Sequence, residues 1–385
     1  MRLASTITRL QSEGAFEVLA RARKLEAQGR DIVHMEIGQP DFPTPAHIVE
    51  AGIEALRRGE TRYTPAAGIL PLREAIVAYV RDLYGLAANP DQVVVMPGAK
   101  PVIFSTLLAL LEPGDECIYP DPGFPTYESV IRFTGAKPVP APLRMAHEFR
   151  FDVDELAALV TPRTKLLIIN SPANPIGSML TRSDLERIAE LAQRHDFYVL
   201  SDEIYSRIVY DEPHFSIAAL PGMAGRTILL DGFSKTYAMT GWRLGYGVFP
   251  PEMASPIEIL QINANSCAAA FTQWAGLAAL TGPQEPVTQM VAEFRRRRDA
   301  IVAGLNRIPG VRCLAPQGAF YAFPNIEGTG LGSKALADRL LEGGLAVLAG
   351  SAFGAHGEGF LRFSYATSMA KIEEGLARMA ATIDG

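Results

Sequence analysis

The sequence of 385 residues predicts an α/β protein in which a large domain is built on a mainly parallel sheet and a smaller α+β domain accompanies it. Three observations predict this class. Hydrophobic residues make up 48% of the chain and charged residues 20%, the composition of a globular protein. In the middle of the chain, short apolar runs alternate with helical stretches, as buried strands joined by helices do. The length allows two or three domains of ordinary size.

The predicted elements follow in order along the chain. Apolar residues at helical spacing predict helices at 16–28, 46–58, 72–84 and 289–306. Apolar runs bounded by turn residues predict buried strands at 92–96, 116–119, 165–170, 197–201, 227–231 and 244–249. Two further strand-like runs lie at 319–323 and 359–364. We therefore expect a large domain over residues 46–284 and a small domain formed by residues 1–45 and 285–385.

The charge balance argues against several classes of function. The chain has 36 basic and 42 acidic residues, a formal charge of −6. Binding to nucleic acid or to a membrane surface relies on basic surfaces, so neither partner is expected. The arginine run 295–298 lies inside a predicted helix, and we expect it to form a solvated face. Since no apolar stretch reaches about 18 residues and no signal-peptide core is present, a cytoplasmic location is expected.

The cysteines and histidines do not suggest a disulfide framework or a metal site. Cys117, Cys267 and Cys313 are too few and too widely spaced for either, and the six histidines are scattered. We expect these cysteines to be buried or incidental thiols in a reducing compartment, and we expect no bound metal.

Polar residues follow the carboxyl ends of four predicted strands, which is where ligands bind in open α/β sheets. These residues are Gly98-Ala99-Lys100, Asn174, Asp202 with Tyr205, and Ser234-Lys235. They form no Ser/His/Asp arrangement, but they suit an electron-sink aldehyde cofactor with a phosphate tail. A lysine in a partly apolar setting can form a Schiff base, and Arg243 lies eight residues after Lys235, able to return and hold a phosphate.

These motifs resemble those of the class I/II aminotransferases, pyridoxal-phosphate enzymes of fold type I, and in particular the aspartate and aromatic aminotransferases. The resemblance covers nearly the whole chain, through segments 38–42, 62–65, 174–177, 202–205, 234–246, 318–321 and 361–366. It implies a three-layer α/β/α large domain. It also implies a ping-pong reaction that moves the amino group of an L-amino acid to a 2-oxo acid.

The resemblance assigns the cofactor's ring and aldehyde to five residues. Lys235 would form the Schiff base with pyridoxal 5'-phosphate and move a proton during the reaction. Asp202 would bind the pyridine nitrogen and keep it protonated. Tyr205 and Asn174 would donate hydrogen bonds to the phenolic oxygen, and Phe124 would stack on the ring.

The phosphate group would be bound at a helix N-terminus, where free backbone N–H groups favour anions. The residues implied for this role are Gly98, Ala99, Lys100, Ser234 and Arg243. The family often has a hydroxyl three residues before the lysine, and this chain has Gly232 there, so we expect Ser234 to substitute.

Substrate binding and dimer formation follow from the same resemblance. Arg362 would bind the substrate α-carboxylate, with Gly38 and Asn174 beside it. Tyr63 would reach the phosphate bound by a neighbouring subunit, so a homodimer with shared active sites is expected.

The sequence leaves one alternative function open and disfavours two others. A pyridoxal-phosphate carbon–sulfur β-lyase would share nearly all these residues and stays open. A transcription regulator with an aminotransferase-like domain would need a DNA-binding domain ahead of Gly38, for which we expect no room. The glycines at 328–332 lack the spacing of a dinucleotide fingerprint. The resemblance implies that the N-terminal segment, here residues 13–16, takes part in recognising the substrate side chain. Phe16 and Phe353 would suit an apolar or aromatic side chain, whereas Lys100 and Arg207 would suit an acidic one.

Overall fold

A computed structural model describes residues 3–384, which contain 13 α-helices and three sheets. The strands are β1 (Val33–His34), β2 (Val93–Met96), β3 (Glu116–Asp121), β4 (Lys137–Pro142), β5 (Thr164–Asn170), β6 (Tyr198–Asp202), β7 (Thr227–Gly232), β8 (Gly245–Val248), β9 (Tyr321–Ala322), β10 (Leu345–Ala346), β11 (Leu348–Ala349) and β12 (Leu361–Ser364). The helices are α1 (Gly14–Glu26), α2 (Ala46–Arg57), α3 (Leu70–Tyr84), α4 (Lys100–Leu110), α5 (Thr126–Thr134), α6 (Val153–Leu159), α7 (Arg182–His195), α8 (Phe233–Thr236), α9 (Pro251–Asn265), α10 (Ala270–Thr281), α11 (Glu285–Leu305), α12 (Ser333–Glu342) and α13 (Met369–Asp384).

The largest sheet has seven strands in the order β2-β8-β7-β6-β5-β3-β4. All pairings from β7 to β4 are parallel, and β8 is antiparallel to both of its neighbours. The mainly parallel sheet expected from the sequence is therefore confirmed. Because β2, β3, β5, β6 and β7 run in the same direction, their carboxyl ends meet at one edge, where the site lies.

Alternate residues of the central strands belong to different cores, so the sheet is covered on both faces. Val93 and Val95 of β2 pack with apolar residues of α3 and α10. Val94 and Met96 of the same strand pack with apolar residues of α4. This arrangement is the predicted α/β/α layering.

Strand β4 was not predicted from the sequence. Its segment, Lys137–Pro142, contains three prolines, which lack the N–H that an interior strand must donate. The strand lies at the edge of the sheet and pairs only with β3, so the missing donors are tolerated.

The prediction that arginines 295–298 form a solvated face is wrong for two of them. Arg297 and Arg298 are 6% and 7% exposed. Arg297 pairs with Asp41 across 2.7 Å, with its guanidinium 5.0 Å from the Phe42 ring centroid, and Arg298 pairs with Asp211 across 2.6 Å. These partners come from distant parts of the sequence, which the local charge pattern does not reveal.

The two smaller sheets are built from residues outside the seven-stranded one. Strand β1 pairs with β10, and β9, β12 and β11 form a three-stranded sheet. The division at residues 45 and 285 stays a prediction, and the strands of the large sheet all lie between these positions. None of the helices within residues 3–384 is long and apolar enough to cross a membrane.

Candidate active site

A cavity of about 490 Å³ lies at the carboxyl edge of the large sheet. Its wall is formed by residues at the ends of the strands of that sheet and at the starts of the helices that follow them. Segments near residues 13–16, 37–39, 321 and 362 complete the wall. Most of the residues predicted from the sequence line it, namely Gly38, Ala99, Lys100, Phe124, Asn174, Asp202, Tyr205, Ser234, Lys235, Arg243 and Arg362.

Lys235 lies on the short helix α8, directly after β7. Its Nζ donates a hydrogen bond to the carbonyl oxygen of Gly38 across 2.5 Å and lies 5.9 Å from the Phe320 ring centroid. Burial, followed by the positive charges of Arg362 and Arg243, lowers the pKa of Lys235 to about 8. About a tenth of this amine is therefore neutral and nucleophilic at pH 7, far more than for a lysine with the ordinary pKa of 10.5.

Asp202 ends β6 and is 5% exposed. Its Oδ2 accepts a 2.6 Å hydrogen bond from the Tyr127 hydroxyl, and its Oδ1 accepts one from the backbone N–H of Ile204. Burial raises the pKa of Asp202 to about 6, and these two hydrogen bonds limit the rise. Asp202 is thus a mostly ionised carboxylate at neutral pH, suited to accept a hydrogen bond from a cationic ring N–H.

Tyr205 and Asn174 are held by neighbours that fix what each can donate. The Tyr205 and Tyr321 hydroxyls lie 2.7 Å apart, and burial raises the pKa of Tyr205 well above its usual value. The Asn174 Oδ1 atom accepts a hydrogen bond from Arg362 across 3.2 Å. Because this contact occupies the amide oxygen, the NH₂ group of Asn174 is the part left to donate.

Arg362 lies on β12 and is 4% exposed. One Nη donates to Asn174 and the other to the carbonyl oxygen of Glu36. The guanidinium carbon lies 4.7 Å from the Tyr321 ring centroid and 4.9 Å from that of Phe353. Its Nε is buried and has no hydrogen-bond partner anywhere in residues 3–384. The arrangement is a fixed planar cation with a free donor, which suits a carboxylate.

The backbone around Gly98 packs tightly against Arg243. Gly98 has a φ of +99°, and a Cβ added there would overlap the Arg243 guanidinium. A Cβ on Gly245 would lie 2.6 Å from the backbone nitrogen of Ala99. The absence of side chains thus lets the first turn of α4 approach a cation, which forms a suitable setting for a phosphate. Ser234 lines the same cavity, whereas Gly232 offers no hydroxyl.

Gly38 is expected beside the substrate carboxylate, but in the structure its lack of a side chain makes room for Tyr321. A Cβ there would overlap the Tyr321 hydroxyl, so the space left by the missing side chain is taken by a tyrosine. This close approach leaves the Gly38 carbonyl in contact with Lys235.

Four residues considered from the sequence do not line the cavity, namely Gly98, Tyr63, Arg207 and Phe353. Tyr63 is 87% exposed and does not line the cavity of its own chain. Arg207 does not line it either, and it lies beside Tyr79 and Tyr237. Of the two cations expected to suit an acidic substrate side chain, Lys100 lines this cavity and Arg207 does not.

Tyr127, Tyr321 and Glu13 also line the cavity. Sequence reasoning missed Tyr127, and it named Tyr321 and Glu13 only within longer segments, without a role of their own. Tyr127 follows Phe124 by three residues, and this helix-start spacing could have indicated that both face the same side. Tyr321 belongs to a segment already noted as a family motif, although no role was assigned to it. Glu13 carries no local signal, because its contact with Lys100 joins distant parts of the chain.

Comparisons with known proteins agree on one family. The sequence pattern described as "Aminotransferase class I and II" matches residues 30–379. The chain is 44% identical to an aspartate aminotransferase of Pyrococcus abyssi, covering 91% of each, and 40% identical to an arginine–pyruvate transaminase of Pseudomonas aeruginosa, covering 99% of this chain and 98% of that one. It also resembles the crystal structure of the aspartate aminotransferase from Rhizobium meliloti, with a TM-score of 0.96 and 37% identity over 100% of this chain and 99% of that one.

Proposed function

The chain belongs to the class I and II aminotransferase family and is a pyridoxal-phosphate-dependent transaminase, and from this premise we propose how its own residues carry out the transfer. The single observation that carries the proposal is the cavity in which Lys235, Asp202 and Arg362 meet. Lys235 supplies an amine of lowered pKa, Asp202 a carboxylate for a cationic ring nitrogen, and Arg362 a fixed cation for a substrate carboxylate. The relatives quoted above are all named as aminotransferases, and nothing among them supports the β-lyase alternative.

The donor set of the cavity fits pyridoxal 5'-phosphate. Ala99 and Lys100 supply backbone N–H groups at the start of α4, and Ser234 and Arg243 supply side chains for a phosphate, whereas the N–H of Gly98 donates to the carbonyl oxygen of Met96. Phe124 offers a ring face on the cavity wall, and the hydroxyl and amide donors described above would meet a phenolic oxygen. When bound, this cofactor supplies an aldehyde that captures amino groups and a ring that withdraws electrons.

The residues of this chain bind the substrate and manage its protons. Arg362 binds the α-carboxylate with its guanidinium group, and Asn174 keeps the guanidinium in its plane. Lys235, released from Gly38, removes the proton from the substrate α-carbon as a general base. As the general acid, it would then deliver that proton to the C4′ atom of the cofactor. Its lowered pKa suits both tasks, because an efficient acid–base group titrates near the working pH.

We also propose that two chains share each site. Tyr63 is a large exposed side chain that lies away from its own cavity, as expected of a residue that acts in the neighbouring subunit. The small domain formed by residues 1–45 and 285–385, a cytoplasmic location and the homodimer remain proposals from the sequence.

The proposed roles are tested with amino donors and the cofactor's spectrum. A panel of amino acids with 2-oxoglutarate or pyruvate should show amino transfer, and Lys235→Ala should bind the cofactor without covalent attachment and lose transfer. Lys334→Ala removes an exposed lysine of α12 and serves as the matched control. Covalent attachment that persists in Lys235→Ala would contradict the assignment.

A further inference from the structure

A carboxylate from the N-terminal segment lies on the solvent-accessible side of the cavity. Glu13 immediately precedes α1, and its carboxylate accepts hydrogen bonds from Lys100 Nζ and, across 3.3 Å, from the Thr126 hydroxyl. The side chains of Glu13 and Lys100 are 22% and 46% exposed. Lys100 Nζ also lies 5.3 Å from the Phe124 ring centroid. The pair therefore forms part of the wall that an entering substrate meets.

The charge of Glu13 acts deep into the cavity. Within residues 3–384, Glu13 and Asp202 are the two carboxylates that line it. Burial and neighbouring cations lower the pKa of Lys235, and the Glu13 carboxylate opposes that shift. Burial also lowers the pKa of Arg362, and Glu13 again opposes the effect. Glu13 thus contributes negative potential at both groups that are proposed to meet the substrate.

We infer that Glu13 is a specificity-determining residue that disfavours substrates with a second carboxylate, because it occupies Lys100, the cation such a carboxylate would otherwise meet. The inference rests on the proposed function of this cavity. A dicarboxylic substrate must displace Glu13 from Lys100 and then lie beside an unpaired negative charge. A neutral side chain leaves the pair intact and finds apolar contacts at Ala15, Phe16 and Ile103.

The same pair argues against a site for cationic side chains. The Glu13 carboxylate already accepts hydrogen bonds from an ammonium and a hydroxyl. An arginine or lysine substrate would compete with Lys100 for it and would be repelled by that ammonium. Amino acids with neutral side chains are thus the substrate class favoured, with pyruvate favoured over 2-oxoglutarate as the acceptor because pyruvate has a single carboxylate.

The test measures the preference for a second carboxylate on the holoenzyme. In Glu13→Gln, kcat/KM for 2-oxoglutarate relative to pyruvate should rise about tenfold, chiefly through KM. Binding should follow without turnover: the ratio of dissociation constants for butyrate and succinate, four-carbon acids with one and two carboxylates, should rise by a similar factor when each acid is titrated into the holoenzyme and followed by the cofactor's absorbance. Adding Lys100→Met to Glu13→Gln should abolish both gains, since the freed ammonium is then gone.

Glu17→Gln is the matched control, because Glu17 lies in the same segment, is exposed and does not line the cavity. It should change neither ratio. Unchanged ratios in Glu13→Gln would overturn the inference, as would a selective loss of activity toward arginine and lysine, which would make Glu13 a cation-binding residue. If no donor gives amino transfer, the proposed function is wrong, and the succinate and butyrate ratio still decides the role of Glu13.

Discussion

The hydroxyl of Tyr127 donates a 2.6 Å hydrogen bond to Oδ2 of Asp202 inside the protein. The two residues are 75 positions apart, and both are at most 5% exposed. Burial raises the pKa of Asp202, and the tyrosine restrains the rise. The hydroxyl therefore helps to keep this carboxylate ionised at the pH where a cationic ring nitrogen needs it.

Replacing Asp202 with asparagine should stabilise the apoenzyme and abolish its activity. The folded pKa of about 6 exceeds the ordinary value of 3.8, so the folded protein binds more protons than the unfolded chain between these pH values. Its free energy of unfolding therefore falls as pH rises through that window, by up to about 3 kcal/mol. An asparagine side chain does not titrate, so the increase in the free energy of unfolding caused by Asp202→Asn should be absent near pH 4 and complete above pH 7. Urea unfolding of the apoenzyme measures this increase.

Asp338→Asn provides a control of opposite sign. Hydrogen bonds from Lys334 and Arg21 lower the pKa of Asp338, so its ionised form stabilises the folded state. This substitution should destabilise the protein at neutral pH and have less effect in acid. A pH-independent effect of Asp202→Asn would contradict the raised pKa.

The covalent capture of pyridoxal phosphate by the apoenzyme should depend on pH with a midpoint near 8. Only the neutral amine of Lys235 attacks the aldehyde, and its pKa is lowered to about 8 from 10.5. The capture rate should rise about tenfold per pH unit below 8 and level off above it. Stopped-flow absorbance measures the rate, and a midpoint near 10 would show that the amine is not perturbed.

Gly98→Ala should weaken cofactor binding by about tenfold, because the added Cβ overlaps the Arg243 guanidinium that is proposed to hold the phosphate. Gly59→Ala is a matched control. Gly59 also has a positive φ, +81°, but nothing lies within 4 Å of an added Cβ. Both variants should lose roughly 1 kcal/mol of stability from backbone strain. Only Gly98→Ala should raise the Kd for pyridoxal phosphate in a fluorescence titration; equal Kd values would remove Gly98 from the phosphate site.

Tyr63 should act in the site of the neighbouring chain. If chains carrying Lys235→Ala are refolded together with chains carrying Tyr63→Ala, each mixed dimer regains one site with both residues intact. Equal mixing should restore roughly a quarter of the wild-type sites, since half of the dimers are mixed. Transaminase activity of the mixture, compared with each variant alone, measures this. Activity no greater than the average of the two separate variants would place Tyr63 in its own chain's function.

Much of the site could be predicted because its residues follow buried strands, whose apolar runs are visible in the sequence. Asp202 and Lys235 are of this kind, and the topology of a parallel sheet brings such residues together. Arg362 and Asn174 were assigned from the family resemblance, and the structure brings them into contact.

The rest depends on contacts between distant segments. Glu13 pairs with Lys100 across 87 positions, and Arg297 finds Asp41 across 256, neither with any local pattern. Strand β4 could not be predicted because its three prolines are typical of segments outside strands. Prolines are tolerated in a strand at the edge of a sheet, and the position of a strand at the edge depends on the whole sheet.

Two backbone carbonyls from one short segment contact the two groups that are proposed to hold the substrate. The oxygen of Glu36 accepts from Arg362, and the oxygen of Gly38 accepts from Lys235. Because only one residue separates them, these two positions in the backbone are at most about 7 Å apart. The segment therefore limits the distance between the Arg362 guanidinium, which is proposed to bind the carboxylate, and the Lys235 amine. An α-amino acid carries its two functional groups at one constant separation whatever its side chain, whereas β- and ω-amino acids do not. This limit suits the α-amino acid backbone that all the substrates share, and it leaves the choice among their side chains to other residues of the cavity.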